Sequence, residues 1–293
     1  MGLAEDSDLD RLVARVIASP RYRTVIPELV RSVGARELAH RPDWKAAVKA
    51  TKGKLHQVAG AFCDHGLDYA RGLTRLADSV TEPTALKQAC IELMAQHAST
   101  RERLAVLDEF YGVILGDLPP PSSVLDVACG LHPLSIPWMS LAPNVQYCAC
   151  DVLTDLTDFL TAYLRLLGIR GQAHALDVTR SLPRGRFDVA LVLKSIPCLE
   201  QLDQTAGQRL LDSIRADCII VSFPVRSLGG RSKGMATYYE RHLRSLIERR
   251  PWRVAKYEFV SELVFRLETP TKREQRHDVD GNVGAEDGVI GDG

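Results

Sequence analysis

The chain has 293 residues, of which 45% are hydrophobic and 25% charged, values of an ordinary globular protein with about two domains. Its 37 basic and 37 acidic residues cancel, which by itself argues against a nucleic-acid partner. No apolar run reaches the ~18 residues of a membrane span, and the acidic N-terminus lacks a signal-peptide pattern. We therefore expect a cytoplasmic protein without membrane contacts.

The distribution of charge is more informative than its sum. The first hundred residues, past an acidic leader, are rich in arginine and lysine, so the neutral total hides a basic front end. Residues 271–293 combine acids with many glycines, which predicts a disordered acidic tail. The seven cysteines lie mostly in apolar contexts and form no C-x-x-C pair, so we expect reduced core thiols and no metal.

Apolar residues at helical spacing, interrupted by prolines, predict an all-helical N-terminal region. We expect its helices at residues 9–17, 27–38, 43–62, 67–77 and 83–95. The third helix carries four lysines, Lys45, Lys49, Lys52 and Lys54. The first three share one face by their spacing, and a solvated helix face is the plain interpretation. Arg21, Arg23 and Arg41 lie nearby in the sequence and favour a surface that contacts phosphates.

A further helix is predicted from an N-cap at Ser99 or Thr100 to about Leu115, with an acid in its first turn. It contains Arg103, whose forked guanidinium suits a ligand carboxylate, although spacing alone also allows a surface arginine. Prolines then lead into the first strand. We therefore predict a helical domain over residues 1–96 and an α/β domain over residues 97–270.

Residues 123–130, Ser-Val-Leu-Asp-Val-Ala-Cys-Gly, are typical of a buried parallel strand that ends in an acid before a tight turn. The next two predicted strands, 145–151 and 171–177, end in Asp151 and Asp177. Ligands bind outside the carboxyl ends of such strands, so three acids in register predict a nucleoside site. Asp151 follows Asp126 by 25 residues, near the ~20 expected of an acid that binds ribose, and Asp177 is placed to meet adenine.

The turn after the first strand has alanine at position 128, where a dinucleotide fingerprint has glycine. The missing phosphate-cradling glycines favour S-adenosylmethionine, which has no pyrophosphate, over NAD. The plain alternative is a doubly wound domain whose strands end in acids by chance. Three such acids make that alternative the weaker one.

A fourth strand at 187–193 is continuous and apolar, and it ends in Lys194. A lysine at the exit of a buried strand is unusual, so we interpret it as a group that meets the acceptor. A fifth strand at 218–224 leads into the glycine-rich, cationic loop 226–235, which suits RNA phosphates. A helix at 236–249 and strands at 252–260 and 262–267 complete the predicted sheet.

The chain resembles the aminoglycoside-resistance 16S rRNA methyltransferases that modify guanine N7 in the ribosomal decoding site. The matching strings are Lys-Leu-His-Gln at 54–57, His-x-Ser-Thr-x-Glu-Arg-Leu at 97–104, Asp-Val-Ala-Cys-Gly-Leu-x-Pro at 126–133, Lys-Ser-Ile-Pro-Cys-Leu-Glu at 194–200 and Ser-Phe-Pro-x-Arg-Ser-Leu-Gly-x-Arg-Ser-Lys-Gly-Met at 222–235. They span about residues 45–268, and the last two are long enough to be specific. The acidic tail beyond Thr271 lies outside the stretches that carry the resemblance.

The resemblance implies a helical domain that docks on the small (30S) ribosomal subunit, joined to a Rossmann-like methyltransferase domain. It implies methyl transfer from S-adenosylmethionine to N7 of guanine-1405 in 16S rRNA, giving aminoglycoside resistance. A monomer is the simplest partner for such a large surface. Within the site, Arg103 would bind the methionine carboxylate of the cofactor, Asp151 its ribose and Asp177 its adenine.

The expected site residues follow from this resemblance. Cofactor binding is expected at His97, Arg103, Ala128, Gly130, Asp151, Val152, Asp177, Val178 and Leu193. Lys194 is expected to position the target base. Contacts with rRNA are expected at Lys45, Lys49, Lys52, Lys54, Arg226, Arg231 and Lys233.

The implied chemistry needs no general base, because guanine N7 attacks with a free lone pair. Catalysis would rest on alignment of nitrogen, methyl carbon and sulfur, after the base leaves its stack at a cost of a few kcal/mol. Three alternatives stay open: a methyltransferase for a neighbouring base such as adenine N1, a non-catalytic ribosome-binding factor, and a small-molecule methyltransferase of antibiotic synthesis. The strings around Lys194 and Arg226 argue against the first, and the basic front end argues against the third.

Overall fold

The computed structural model describes residues 2–41, 43–60, 67–225 and 234–269. Its α-helices are α1 (Gly2–Ile17), α2 (Pro27–His40), α3 (Trp44–Leu55), α4 (Tyr69–Ser79), α5 (Pro83–Met94), α6 (Ala98–Arg103), α7 (Leu107–Leu115), α8 (Thr154–Leu166), α9 (Ile196–Leu202), α10 (Ala206–Ser213) and α11 (Met235–Ile247). Its strands are β1 (Ser123–Val127), β2 (Gln146–Asp151), β3 (Arg170–Ala175), β4 (Phe187–Leu193), β5 (Ala216–Pro224), β6 (Arg253–Glu258) and β7 (Glu262–Glu268). Within these ranges, no helix is long and apolar enough to cross a membrane.

The seven strands form one sheet in the order β3-β2-β1-β4-β5-β7-β6. Strands β1 to β5 run parallel, and β7 lies antiparallel between β5 and β6. The direction of winding reverses between β1 and β4, which is the switch point where open α/β sheets bind ligands. The predicted Rossmann-like sheet preceded by helices is therefore confirmed.

Both faces of the sheet are covered, because side chains alternate between faces along each strand. In β2, Tyr147 and Ala149 pack on the face covered by α5, α7 and α8, whereas Cys148 and Cys150 pack on the face covered by α9, α10 and α11. The six described cysteines are free thiols and five of them are buried, as expected from their apolar surroundings. Cys63 lies outside the described residues.

The helical front end packs in two ways. Helices α1 to α3 enclose a core of their own, whereas α4 and α5 contribute to the core on one face of the sheet. Two cations of the front end donate to the last carbonyls of α9, Arg36 Nη1 to Leu202 O at 2.5 Å and Lys54 Nζ to Gln201 O at 2.9 Å. Cations are favourable at this end of a helix because its dipole is negative there. The predicted boundary near residue 97 stays a prediction.

The predicted single helix from residue 99 to 115 is wrong. The chain forms α6, a 3₁₀ turn at Leu104–Val106 and then α7. The N-cap is His97, and Thr100 Oγ1 donates to the carbonyl oxygens of Met94 (2.7 Å) and His97 (3.2 Å) instead of capping. The break turns the last residue of α6, Arg103, into the protein interior.

The other predicted helices and strands are confirmed, most of them with small shifts at their ends, but α1 begins at Gly2, seven residues before the predicted start at residue 9. The helix predicted at 43–62 is α3 followed by a π-helical turn, His56–Gly60, and residues 61–66 lie outside the described residues. Asp43 is its N-cap and accepts a hydrogen bond from Ala46 N. The third strand ends at Ala175, two residues before Asp177.

Candidate active site

One pocket opens at the carboxyl ends of β1, β2 and β4, beneath α6 and the front end. Its wall contains all nine residues predicted to bind the cofactor, His97, Arg103, Ala128, Gly130, Asp151, Val152, Asp177, Val178 and Leu193. Lys194 also lines it, together with Leu29 and Val58 from the front end. The structure therefore brings residues from seven separate stretches of the sequence to one place.

The turn after β1 brings the backbone close to the pocket. Ala128 and Gly130 both have left-handed φ angles, 50° and 52°. A Cβ atom on Gly130 would lie 2.9 Å from the ring of His97, so this position requires glycine. Ala128 adopts a conformation that costs a side-chain-bearing residue about 1–2 kcal/mol.

Asp151 ends β2 and holds the turn after β1 in place. Its Oδ2 accepts from Gly130 N at 2.9 Å, and its Oδ1 accepts from Val152 N at 2.7 Å and Leu153 N at 3.3 Å. Burial raises the pKa of Asp151 above its ordinary value, more than these backbone donors lower it. Oδ1 thus has two donors already, whereas Oδ2 keeps a second lone pair with which it can accept a ribose hydroxyl.

Asp177 has one satisfied and one unsatisfied oxygen. Its Oδ1 accepts from Thr179 N at 2.9 Å and Thr179 Oγ1 at 2.6 Å. Its Oδ2 is buried and has no hydrogen-bond partner within the described ranges. A buried carboxylate oxygen without a donor is costly, so its place in the pocket wall fits a ligand that brings an N–H group, such as adenine.

Arg103 is not the surface arginine that spacing also allowed. Its side chain is buried and binds Glu262 in a fork, Nε to Oε1 at 2.6 Å and Nη2 to Oε2 at 2.8 Å. Burial alone would raise the pKa of Glu262, but the charge and hydrogen bonds of Arg103 hold it below its ordinary value. The third guanidinium nitrogen, Nη1, is not engaged by Glu262 and is available to a ligand carboxylate.

Lys194 follows β4 with a left-handed φ of 56° and is 8% exposed. Its Nζ donates to Glu102 Oε2 at 2.8 Å and lies 3.9 Å from Glu262 Oε1. Two carboxylates therefore lie beside this ammonium group. The sequence did not reveal Glu262, because an acid at the start of an apolar strand is an ordinary surface pattern.

Asp126 was predicted to end β1 and face the nucleoside, and this prediction is wrong. Asp126 lies inside β1 and points into the core, where its Oδ2 accepts from Tyr147 Oη at 2.7 Å and lies 2.7 Å from His132 Nδ1. His132 Nε2 is 2.7 Å from Tyr111 Oη, and His132 itself lines the pocket. Asp126 thus supports the pocket from behind through His132.

The four lysines of α3 differ in their surroundings. Lys45 and Lys49 are exposed, whereas Lys52 and Lys54 are partly buried. Lys52 Nζ donates to Ser19 Oγ at 2.5 Å, and Lys54 Nζ donates to the carbonyl at the end of α9. Arg226, Arg231 and Lys233 lie outside the described residues.

The chain is similar in sequence to known ribosomal RNA methyltransferases. The family described as "Ribosomal RNA methyltransferase (FmrO)" matches residues 18–266. A protein of Micromonospora rosea named 16S rRNA (guanine(1405)-N(7))-methyltransferase is 37% identical over 264 residues, covering 89% of this chain and 96% of its own. A protein of Frankia casuarinae with the same name is 38% identical over 267 residues, covering 89% and 94%.

Solved structures agree with these relatives. The 16S rRNA methyltransferase RmtF, crystallised with S-adenosyl-L-homocysteine, superposes with a TM-score of 0.75 at 30% identity, over 89% of this chain and 98% of its own. An rRNA methylase from Escherichia coli superposes with a TM-score of 0.71 at 28% identity, over 89% and 100%. The similarity therefore covers both the sheet and most of the helices that precede it.

Proposed function

The chain belongs to the FmrO family of ribosomal RNA methyltransferases, and on this premise we propose that it methylates N7 of guanine-1405 in 16S rRNA and thereby gives aminoglycoside resistance. The observation that carries the proposal is the pocket that joins Asp151, Asp177 and Lys194 at the switch point of the sheet. S-Adenosylmethionine, when bound, supplies an electrophilic methyl group on its sulfonium.

The pocket residues fit this cofactor. Asp177 Oδ2, which is buried and lacks a partner within the described ranges, accepts a hydrogen bond from the adenine amine. Asp151 would accept a ribose hydroxyl at Oδ2, while its backbone donors keep the carboxylate oriented. Arg103 binds the methionine carboxylate through Nη1, and Glu262 fixes the plane of the guanidinium. The adenine end of the cofactor would thus meet a carboxylate, and its methionine end would meet a guanidinium group.

Lys194 acts as a donor and not as a base. Its ammonium group lies beside Glu102 and Glu262, and an ammonium group has three donors and no acceptor. Guanine presents O6 beside N7 on its major-groove edge, so a donor there orients the base without blocking the N7 lone pair. No proton has to leave before N7 attacks, and the rate depends on alignment.

The substrate is 16S rRNA, within the assembled small subunit. Exposed Lys45 and Lys49 on the front end and the cationic string at 226–233 supply charges for rRNA phosphates. One monomer then acts per subunit. The methylated ring gains a positive charge, which repels polycationic aminoglycosides from the decoding site.

The test is methyl transfer from labelled S-adenosylmethionine to purified small subunits, with protein-free 16S rRNA for comparison. We expect label on the intact subunits and, after reduction and aniline treatment, scission at a single guanine. The Asp177→Ala variant should lose both cofactor binding and transfer. Label at an adenine, or none on any RNA despite cofactor binding, would contradict the assignment.

A further inference from the structure

The connection between β3 and β4 differs from the other parallel connections of the sheet. Helix α8 joins β2 to β3, and α9 and α10 join β4 to β5. Residues 176–186, all of them described, join β3 to β4 without a helix. Between these residues and α10 lies a cavity of about 540 Å³.

Four arginines from three elements line this cavity, which we call the arginine groove: Arg180, Arg184, Arg209 and Arg215. Phe187 and Leu210 are among its apolar residues, and Thr179, Ser181 and Ser213 add hydroxyl groups. Not one of the residues that line it is an acid. In a chain whose net charge is zero, this is a locally concentrated positive surface.

The arginines of the groove are largely available to a ligand. All four are exposed, and Arg180, Arg184 and Arg215 have no ion pair within the described part of the chain. Arg209 is held by Asp203, with 2.8 Å between Nη2 and Oδ2. The hydrogen bonds of Arg209 and Thr205 lower the pKa of Asp203 to about 2, so this support stays ionised at neutral pH.

The groove adjoins the cofactor pocket. Val178 lines both cavities. The backbone nitrogens of Arg180 and Ser181 donate to the carbonyl oxygen of Asp177 at 3.0 and 3.2 Å. Asp177, which lines the cofactor pocket, therefore also fixes through its backbone carbonyl the turn that begins the arginine groove.

We propose that the arginine groove binds backbone phosphates of 16S rRNA and forms a contact separate from the front end and the 226–235 loop. The proposal rests on the proposed function, since it needs rRNA as the substrate. Guanidinium forks match phosphate oxygens in geometry, and hydroxyl groups commonly add hydrogen bonds to the same oxygens. A single carboxylate on a protein partner, by contrast, would leave several guanidinium donors of the groove without an acceptor.

The experiment compares two variants of the full chain that lose the same charge. Arg180→Gln/Arg184→Gln removes two arginines of the groove, and Arg165→Gln/Arg249→Gln removes two exposed arginines elsewhere that are also unpaired within the described ranges. The dissociation constant for purified small subunits is measured over a series of salt concentrations. For two lost phosphate contacts we expect the slope of log K against log salt to decrease by about 1.5 and affinity at low salt to fall about tenfold.

Further measurements keep the outcome unambiguous. Arg180→Lys/Arg184→Lys should restore most of the slope, and all variants should bind S-adenosylhomocysteine as the wild type does. Equal salt slopes for the groove variant and the control variant would overturn the proposal. Polyglutamate serves as a model of an acidic protein partner, and a groove variant that loses binding to polyglutamate but not to subunits would also overturn it. A wild-type chain that fails to bind subunits would instead refute the proposed function.

Discussion

Glu262 and Arg103 lie 159 residues apart in the chain and form a bidentate ion pair in which both side chains are almost fully buried. Lys194 joins this pair, with 3.9 Å between its Nζ and Glu262 Oε1. Buried ion pairs contribute little net stability, because desolvation offsets their attraction. We infer that this pair serves to orient two cations in the pocket.

Replacement of Glu262 by glutamine should therefore damage function more than a surface change of the same kind. The variant leaves the buried charge of Arg103 uncompensated, which costs about 3–5 kcal/mol in comparable cases. We expect a lower melting temperature and at least a hundredfold slower methyl transfer. Glu258→Gln, on exposed β6, is the matched control. If Glu262→Gln binds the cofactor and transfers the methyl group as the wild type does, Arg103 and Lys194 do not depend on Glu262 for their orientation.

Two carboxylates at the site, Glu262 and Asp151, should respond to pH in opposite ways. The pKa of Glu262 is lowered, so its contribution to stability is present above its ordinary pKa and is lost as pH falls through the lowered value. The pKa of Asp151 is raised by burial, so the stability from its protonated form is lost as pH rises through the raised value. In the proposed function, however, the ionised form of Asp151 is the one that accepts a ribose hydroxyl at Oδ2.

We consequently expect affinity for S-adenosylhomocysteine to fall on mild acidification, before the fold is lost. Calorimetric titrations from neutral to mildly acidic buffer measure this change. The Asp151→Asn variant should bind more weakly at neutral pH and show little change over the same range. A pH response that is the same in wild type and variant would assign the titration to another group.

Much of the site was predictable because it lies at the ends of strands with clear apolar patterns. Asp151, Asp177 and Lys194 were recognised from local sequence and indeed line one pocket. Asp126 was misplaced because an acid within a strand and an acid at its end look alike in sequence. Glu262 was missed because its partner Arg103 is distant in the chain, and local patterns carry no information on such pairs.

In the helical part, too, contacts between distant residues could not be predicted from local sequence. Propensity and N-cap patterns favoured one helix from residue 99 to 115, yet the chain bends after Arg103. The bend allows Arg103 to reach Glu262 on the last strand, a tertiary contact that overrides local preference. The unequal roles of the α3 lysines likewise depend on Ser19 and on the end of α9.

Single substitutions of those lysines should separate two roles. Lys49→Ala removes an exposed charge and should weaken subunit binding, with a salt slope lower by about 0.7–0.9, while the melting temperature is unchanged. Lys54→Ala removes the cation that binds the carbonyl of Gln201 and should lower stability by about 1 kcal/mol. Thermal melts and subunit titrations of both variants test this. If both variants change subunit affinity and melting temperature to the same extent, the two lysines do not have separate roles.

The last prediction concerns Ala128, whose φ of 50° is strained for a residue with a Cβ atom. Ala128→Gly relieves about 1–2 kcal/mol of strain, and the greater freedom of glycine in the unfolded chain offsets about 0.5–1 kcal/mol of that gain. We expect a slightly higher melting temperature and unchanged cofactor affinity. Ala128→Val places a β-branched residue at positive φ, where such residues are outliers.

The valine variant should therefore shift the turn and displace Gly130 N, which donates to Asp151. Its affinity for S-adenosylhomocysteine should fall at least tenfold, and its melting temperature should decrease. The pair of variants separates backbone strain from side-chain contact, because glycine removes the Cβ atom and valine enlarges the side chain. If glycine lowers stability as much as valine does, the methyl group of Ala128 is needed for packing, and the strain explanation fails.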